Sequence, residues 1–257
     1  MKLASLSAIN TDNNTGGADG RLVVVSEDLA WCADAGHVVA TMQGALDGWE
    51  RYAPALRALA VDLEHGSIPR ERFHEREALA PLPRAYLWAN GRDEACAGNH
   101  LRGARTAIEG GGRDCTMAPG VCVVTGEVAQ GASAEAAQVV RLVGLVNDVS
   151  VSGAYPGQAS AFSPVLVTPE ALGEAWSQPL TLHVERGGHS SDVVSVSPDS
   201  FGAAIAELAK TRRIGAGSVF GASTPADGTL RIGEVVRIEV RDAKGHSIFG
   251  AIEQEVA

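Results

Sequence analysis

Two of the side chains that could move a proton are His100 and Asp148. An imidazole titrates near neutral pH, which makes His100 a candidate general base or acid, although an exposed or capping histidine would look the same. Asp148 interrupts the apolar run LVGLVNDV at residues 142–149, where an unpartnered carboxylate is costly to bury. It is either a proton-transfer group or a structural residue that accepts hydrogen bonds from a neighbouring turn.

Hydroxyl groups that could hold a substrate oxygen occur in the sequence GASTP at residues 221–225. Ser223 and Thr224 offer side-chain and backbone donors, which suit a carboxylate or an enolate oxygen. The same residues also fit an ordinary turn before Pro225. A substrate-binding role and an ordinary turn therefore both fit Ser223 and Thr224.

The second half of the sequence RDCTMAPGVCVVTG at residues 113–126 predicts a buried strand that runs into a turn. A carboxylate pair just before such a strand could do chemistry, but this sequence has none there. Just before that half stand Ala118, Pro119 and Gly120, none of which has a side-chain oxygen.

Composition and charge exclude several classes of function. The chain has 257 residues, 45% of them hydrophobic, and a net charge of −10 without a basic cluster, which argues against a nucleic-acid partner. It has no bilayer-length apolar run, no secretory signal and no phosphate-binding glycine loop, so we predict neither a membrane partner nor a nucleotide cofactor. The cysteines fit neither a zinc site nor a disulfide framework: Cys32, Cys96, Cys115 and Cys122. We predict reduced, mostly buried thiols in a cytoplasmic protein.

The elements that must position these residues are mostly short strands. Alternating or continuous apolar runs predict strands at residues 21–25, 142–149, 180–185, 235–240 and 247–256. Helical spacing covers residues 41–63, with a break or restart at Pro54, and further helices are predicted at residues 99–108, after Ser133, and from Thr168-Pro169 and Ser197-Pro198. The charged, proline-containing residues 67–83 predict a linker, which divides the chain into a small module at residues 1–80 and a larger domain at residues 81–257.

Several blocks, in unbroken order, resemble the fumarylacetoacetate hydrolase family. They are PLPRAYLWANG at 81–91, VVTGEV at 123–128, LVNDVS at 145–150, AFSPVLVTPEALGEAW at 161–176, RIGEVVRIEV at 231–240 and GHSIFGAIEQEV at 245–256. MKLASL and DGRLVVVSEDL are similar to the small N-terminal module of bacterial members. The resemblance implies a mainly β, mixed α+β fold, a barrel-like sheet roll with a small N-terminal α/β module, and a homodimer.

The resemblance also implies a metal site that this sequence lacks in part. Family members hold Mg²⁺, Mn²⁺ or Ca²⁺ with carboxylates, and they hydrolyse, decarboxylate or isomerise a dicarbonyl compound bound to the metal. Alignment on VVTG places Ala118 and Gly120 where the family has two glutamate ligands, whereas Asp148 matches a ligand that is kept. Ser152 stands in place of the family's arginine after this aspartate, and a lysine before the AFSP block is missing.

Two further residues gain a role from the resemblance. Asp93 lies seven residues before His100, as a metal-binding aspartate and the catalytic histidine do in the family. Thr224 falls in the loop where the family has a substrate-contacting threonine. We therefore predict His100 and Asp148 as catalytic residues, and Asp93, Ser223 and Thr224 as substrate-binding residues.

Together these observations predict an enzyme of this fold that acts without a metal or other cofactor on a small enolisable or dicarbonyl metabolite. The expected reaction is a cyclisation, an isomerisation or a lyase-type cleavage in specialised metabolism. One alternative is conventional C–C bond hydrolysis or decarboxylation with Mg²⁺ or Mn²⁺, using replacement ligands from Asp93, Glu94 or Asp114. The other is a catalytically inactive binding or scaffold protein.

Overall fold

The computed structural model describes residues 1–7, 17–90, 93–95, 101–133, 139–153 and 160–257. The strands in these residues are β1 (Lys2–Leu6), β2 (Arg21–Val25), β3 (Trp31–Asp34), β4 (Glu71–Arg72), β5 (Leu87–Asn90), β6 (Asp93–Ala95), β7 (Cys115–Thr125), β8 (Val140–Val151), β9 (Ala161–Phe162), β10 (Leu166–Val167), β11 (Thr181–Arg186), β12 (His189–Val194), β13 (Ser218–Ser223), β14 (Val235–Glu239) and β15 (Ile252–Glu255). The α-helices are α1 (Met42–Asp47), α2 (Trp49–His65), α3 (Pro169–Leu172) and α4 (Gly202–Ala209), and the 3₁₀ helices are Gly17–Asp19, Glu75–Glu77, Gly173–Ser177 and Pro198–Phe201. None of the helices in this described part has the length and apolar character needed to cross a membrane.

The strands form two sheets. The larger has eleven strands in the order β4-β3-β2-β1-β10-β8-β7-β13-β5-β6, with β9 beside β8, and the smaller has the order β12-β11-β14-β15. Strand β13 runs antiparallel to β7 but parallel to β5. The mainly β, mixed fold predicted from the sequence is confirmed; in the ranges given above the sheets are open, without a closed barrel.

The centre of the large sheet is β7 paired with β8 along their whole length, from Cys115 opposite Val151 to Thr125 opposite Val140. Both strands are almost continuously apolar, because each face of the sheet here is covered by a separate hydrophobic core. The predicted strand at residues 142–149 is thus confirmed, and it continues through Asp148 without interruption.

The predicted helix at residues 41–63 is confirmed, but the chain breaks it at Gly48 and not at Pro54. Thr41 caps α1 by accepting a hydrogen bond from the Gly44 N–H, and the helix ends at Gly48. Pro54 lies inside α2, which continues through it. The buried apolar face of α2 packs on the N-terminal strands, and we attribute the tolerance of the proline to this packing.

Two predictions about connecting segments are wrong. Residues 67–83 are not a free linker, because they contain β4 and bury Phe73 and Leu82 in the core. Residues 101–108 form no helix. Their backbone instead joins other segments, since Arg102 N–H donates to the Ser160 carbonyl and Ile108 N–H donates to the Glu255 carbonyl. The helix predicted after Ser133 falls on residues 134–138, outside the described residues.

The N-terminal strands belong to the same sheet as the rest of the chain. Strand β1 pairs with β10, with Lys2 opposite Val167 and Leu3 opposite Leu166, and β10 in turn pairs with β8. The division into domains at residues 1–80 and 81–257 stays a prediction.

A chain of ion pairs connects the 3₁₀ helix Glu75–Glu77 with β14 and β15. Its members are Glu75, Arg105, Glu253, Arg237, Glu239 and Arg241, with Arg105 2.8 Å from Glu75 and 2.6 Å from Glu253, and Arg237 2.7 Å from Glu253 and 3.2 Å from Glu239. Burial raises the pKa of Glu239, but the hydrogen bond from Arg241 and the charge of Arg237 lower it by more. The pKa of Glu239 therefore lies below its ordinary value.

Candidate active site

The neighbouring strands β5, β13, β7 and β8 of the large sheet surround the candidate site, which lies where β5 and β13 end. Because these two strands are parallel, their last residues, Asn90 and Ser223, lie at the same edge. Across the sheet Ser223 is opposite Gly120, and further along β7 Ala118 is opposite Asp148 on β8. Directly opposed residues point to the same face, so the register brings Asn90, Ser223 and Asp148 together on one face.

These three side chains are joined by hydrogen bonds. The Asn90 Nδ2 group donates to Asp148 Oδ2 and also, over 2.8 Å, to Ser223 Oγ. On its other side the Asp148 carboxylate accepts from Ser160 Oγ over 2.6 Å. Asp148 is buried, with 8% of its surface exposed, and these donors compensate the loss of water around its carboxylate.

The network borders a cavity of about 550 Å³, large enough for a small metabolite. The 3₁₀ helix Pro198–Phe201 and α4 contribute one wall through Ser200, Phe201 and Ala204. The other lining residues that the structure describes are Ala89, Asn90, Thr116, Met117, Ala118, Asp148, Ser150, Val196, Phe220, Gly221, Ala222, Ser223 and Pro225. The cavity therefore combines one polar side with a largely apolar remainder.

The structure brings some of the predicted site residues together. Asp148 and Ser223 both line the cavity. Thr224 follows Ser223, and its N–H donates to the Pro119 carbonyl over 3.0 Å, as a turn residue would. The backbone of Asp93 lies opposite Asn90 in the β5–β6 pair. His100 falls outside the described residues. The roles assigned to these residues stay predictions.

Asn90 is the residue that the sequence analysis missed. It lies in the block PLPRAYLWANG, directly after the apolar residues of β5. A polar amide at the end of a buried strand is a signal that could have singled it out. Its importance depends on the parallel pairing of β5 with β13, which no local pattern in the sequence predicts.

Comparisons with known proteins agree with this architecture. Residues 1–84 match the family model described as fumarylacetoacetase N-terminal domain 2. The maleylpyruvate hydrolase from Sphingobium sp. SYK-6 covers 100% of this chain and 99% of its own, with 15% identity and a TM-score of 0.75. The fumarylacetoacetate hydrolase from the psychrophilic Exiguobacterium antarcticum also covers 100% of this chain and 99% of its own, with 17% identity and a TM-score of 0.69. No curated protein sequence matches the chain.

The chain has the fumarylacetoacetate hydrolase fold. The resemblance inferred from the sequence blocks is therefore confirmed by the match of residues 1–84 to the family model and by the shared fold. The maleylpyruvate hydrolase has also been solved in complex with a manganese(II) ion and pyruvate, at 16% identity and a TM-score of 0.74, covering 100% of this chain and 99% of its own. Metal binding by a protein of this fold raises the question whether the residues present here fit such an ion.

The described residues on β7 and β8 do not fit a divalent cation. Ala118, opposite Asp148, has no ligand atom in its side chain. At Gly120 a Cβ atom would stand 2.5 Å from the Ser223 Cα atom and closer still to the Ala222 carbonyl oxygen, so β13 leaves no room for a glutamate there. Asp114 is exposed just before β7 and does not line the cavity. Hard cations need several oxygen ligands, and across the described ranges no group of three His, Cys, Asp or Glu side chains could hold a metal ion.

The cysteines within the described residues are buried free thiols, namely Cys32, Cys115 and Cys122. Burial raises the pKa of Cys122 to about 12. Burial, followed by the charge of Glu71, raises the pKa of Cys32 to about 12 as well. Such thiols are poor nucleophiles, because the thiolate is the reactive form.

Proposed function

We propose that this chain is an enzyme that transforms a small enolisable or dicarbonyl compound by proton transfer, without a bound divalent metal ion. The observation that carries the proposal is the setting of Asp148. Its buried carboxylate is oriented by Asn90 and Ser160 at a cavity, while the facing strand has Ala118 and Gly120. An oriented carboxylate that has no metal ligands beside it among the described residues suits proton transfer better than Lewis-acid chemistry.

The residues around the cavity would divide the work as follows. Asp148 takes up or shares the proton that leaves the carbon next to a carbonyl group, together with His100 as general base or acid. The Ser223 hydroxyl, with Thr224, donates to the oxygen that gains negative charge as the enolate forms. Return of the proton to another carbon gives isomerisation. Attack by the enolate on a second group, or loss of a leaving group, gives cyclisation or lyase-type cleavage.

The names of proteins with the same fold support a carbonyl or enol substrate. Besides the maleylpyruvate and fumarylacetoacetate hydrolases, they include a 5-carboxymethyl-2-hydroxymuconate delta-isomerase from Mycobacterium smegmatis, at 15% identity and a TM-score of 0.61. With an altered metal site on the same fold, we place the reaction among the tailoring steps of specialised metabolism. We further propose a cytoplasmic homodimer, which light scattering on the purified protein would test.

A second candidate is metal-dependent C–C bond hydrolysis or decarboxylation with Mg²⁺ or Mn²⁺. It is favoured by the manganese complex of the maleylpyruvate hydrolase and by the backbone of Asp93 lying opposite Asn90. In this case Asp93, Glu94 or Asp114 would have to replace the missing glutamates.

The decisive measurement is deuterium uptake from D₂O into a panel of enolisable dicarbonyl compounds, followed by NMR. It detects proton removal even when no later step occurs. We expect exchange to be unchanged by EDTA and lowered by roughly 10²- to 10⁴-fold in Asp148→Asn. Asp62→Asn, an exposed acid on α2, is the matched control and should exchange like the wild type.

Four other outcomes would overturn the proposal. Bound metal near one ion per chain with exchange abolished by EDTA would establish the metal-dependent alternative, and so would loss of activity in Asp114→Asn together with loss of metal. Wild-type exchange in Asp148→Asn would remove the carboxylate from the mechanism. No exchange or turnover in the wild-type protein across the panel would favour a binding or scaffold role.

A further inference from the structure

The Asn90 side chain stands between Asp148 and Ser223, two of the residues to which we assign the chemistry. We propose that Asn90 is a positioning residue, which holds the Asp148 carboxylate and fixes the Ser223 hydroxyl as a hydrogen-bond donor to the substrate. The positioning role rests on the function proposed above. The contacts of Asn90 do not depend on that function and can be tested separately.

The number of hydrogens on the Asn90 amide matches its partners. An amide NH₂ group has two hydrogens, and here one points to Asp148 Oδ2 and the other to Ser223 Oγ, 2.8 Å away. The reverse orientation of the amide would place Asn90 Oδ1 against the carboxylate, two acceptors with no hydrogen between them. The orientation is therefore set by Asp148, and the position of Ser223 follows from it.

This arrangement determines which way the Ser223 hydroxyl acts. Because Ser223 Oγ accepts the hydrogen bond from Asn90, its own O–H is not used in that bond. Ser223 lines the cavity, so the hydroxyl hydrogen is available to a substrate oxygen there. One amide thus gives the site an acceptor in Asp148 and a donor in Ser223, the pair that enolisation needs.

Changing the amide to an acid reverses this polarity with little change of shape. In Asn90→Asp the new carboxylate would face Asp148 and would draw the Ser223 hydrogen toward itself. Like charges repel, and the pKa of one carboxyl of such a pair is raised. Once that carboxyl is protonated it can again donate to its partner.

The kinetic test compares Asn90→Ala and Asn90→Asp with the wild type in the deuterium-exchange assay. We expect each variant to lose about 100-fold in kcat, with KM changed by less than about threefold, because misplacement of reacting groups affects the transition state most. Asn90→Asp should regain activity as the pH falls, whereas Asn90→Ala should not. Gln130→Glu is the control for the amide-to-acid change, since Gln130 donates to the Thr211 carbonyl on an exposed loop.

The contact test uses NMR of the Asn90 side-chain amide and needs no substrate. Both amide hydrogens should exchange slowly with solvent in the wild type, and Ser223→Ala should release one of them. Fast exchange of both in the wild-type protein overturns the bridge. If the wild type is active and Asp148→Asn is not, yet Asn90→Asp behaves normally, the positioning role is wrong and the proposed function stands. If the wild type is inactive on the whole panel, the positioning role falls with the function, and amide exchange alone decides the bridge.

Discussion

Replacing Gly120 by alanine tests the close approach of β7 and β13 beside the site. The added Cβ would lie 2.5 Å from Ser223 Cα, whereas ordinary contacts are 3.4–4 Å, so the strands must separate by about 1 Å. Overpacking of this kind costs about 1–3 kcal/mol, and weakening the 3.0 Å hydrogen bond from Thr224 N–H to the Pro119 carbonyl adds about 1 kcal/mol. We therefore expect a loss of about 2–4 kcal/mol in the free energy of unfolding.

Urea denaturation monitored by fluorescence measures this loss, and the melting temperature should fall by about 10 °C. The matched control is Gly126→Ala, where the nearest atom is Arg141 Nε, 3.1 Å from the added Cβ on a flexible side chain that can move. Activity should fall as well, because Asn90 lies on the β13 side of this strand pair and Asp148 on the β7 side, so that a shift of about 1 Å weakens the hydrogen bond between them. If Gly120→Ala is as stable as Gly126→Ala, β13 does not exclude a side chain at position 120, and our reason for the poor metal fit fails.

Three other measurements follow from contacts described above. Glu253→Gln breaks two ion pairs that are partly exposed, so urea denaturation should show a loss of about 1 kcal/mol that shrinks at high salt. The pKa of Glu239 is lowered in the folded state, so its ionised form stabilises the fold at pH values above its unfolded pKa of about 4.3. The difference in unfolding free energy between the wild type and Glu239→Gln should therefore disappear as the pH falls through the folded pKa. A difference that stays constant with pH would contradict this. Cys122, with its pKa raised to about 12 by burial, should resist iodoacetamide at pH 8 until the protein unfolds, as mass spectrometry of the modified peptide would show.

The sequence predicts the elements whose signals are local. Strand β2 has the predicted bounds because RLVVV follows a turn and is apolar throughout. Helix α3 and the 3₁₀ helix Pro198–Phe201 begin at the predicted prolines, since proline suits the first position of a helix. The predictions for residues 67–83 and 101–108 are wrong, because these segments obtain their structure from partners that are distant in the sequence. A local pattern does not reveal such partners.

The residues of the candidate site also differ in whether a local sequence pattern reveals them. Asp148 attracts attention as an acid in an apolar strand, and Ser223 as a hydroxyl in a loop-like sequence. Asn90 does not, because its contacts depend on the pairing of β5 with β13 far along the chain. The tight fit at Gly120 likewise depends on the backbone of another strand.

The parallel pairing of β5 with β13 has a consequence for how activity is gained during folding. Asn90 is separated along the chain by 58 residues from Asp148 and by 133 from Ser223. Closing loops of that length is entropically expensive, so the three side chains assemble only when the middle of the sheet is complete. A partly folded chain would be inert, and recovery of turnover after dilution from urea should lag behind the first formation of secondary structure.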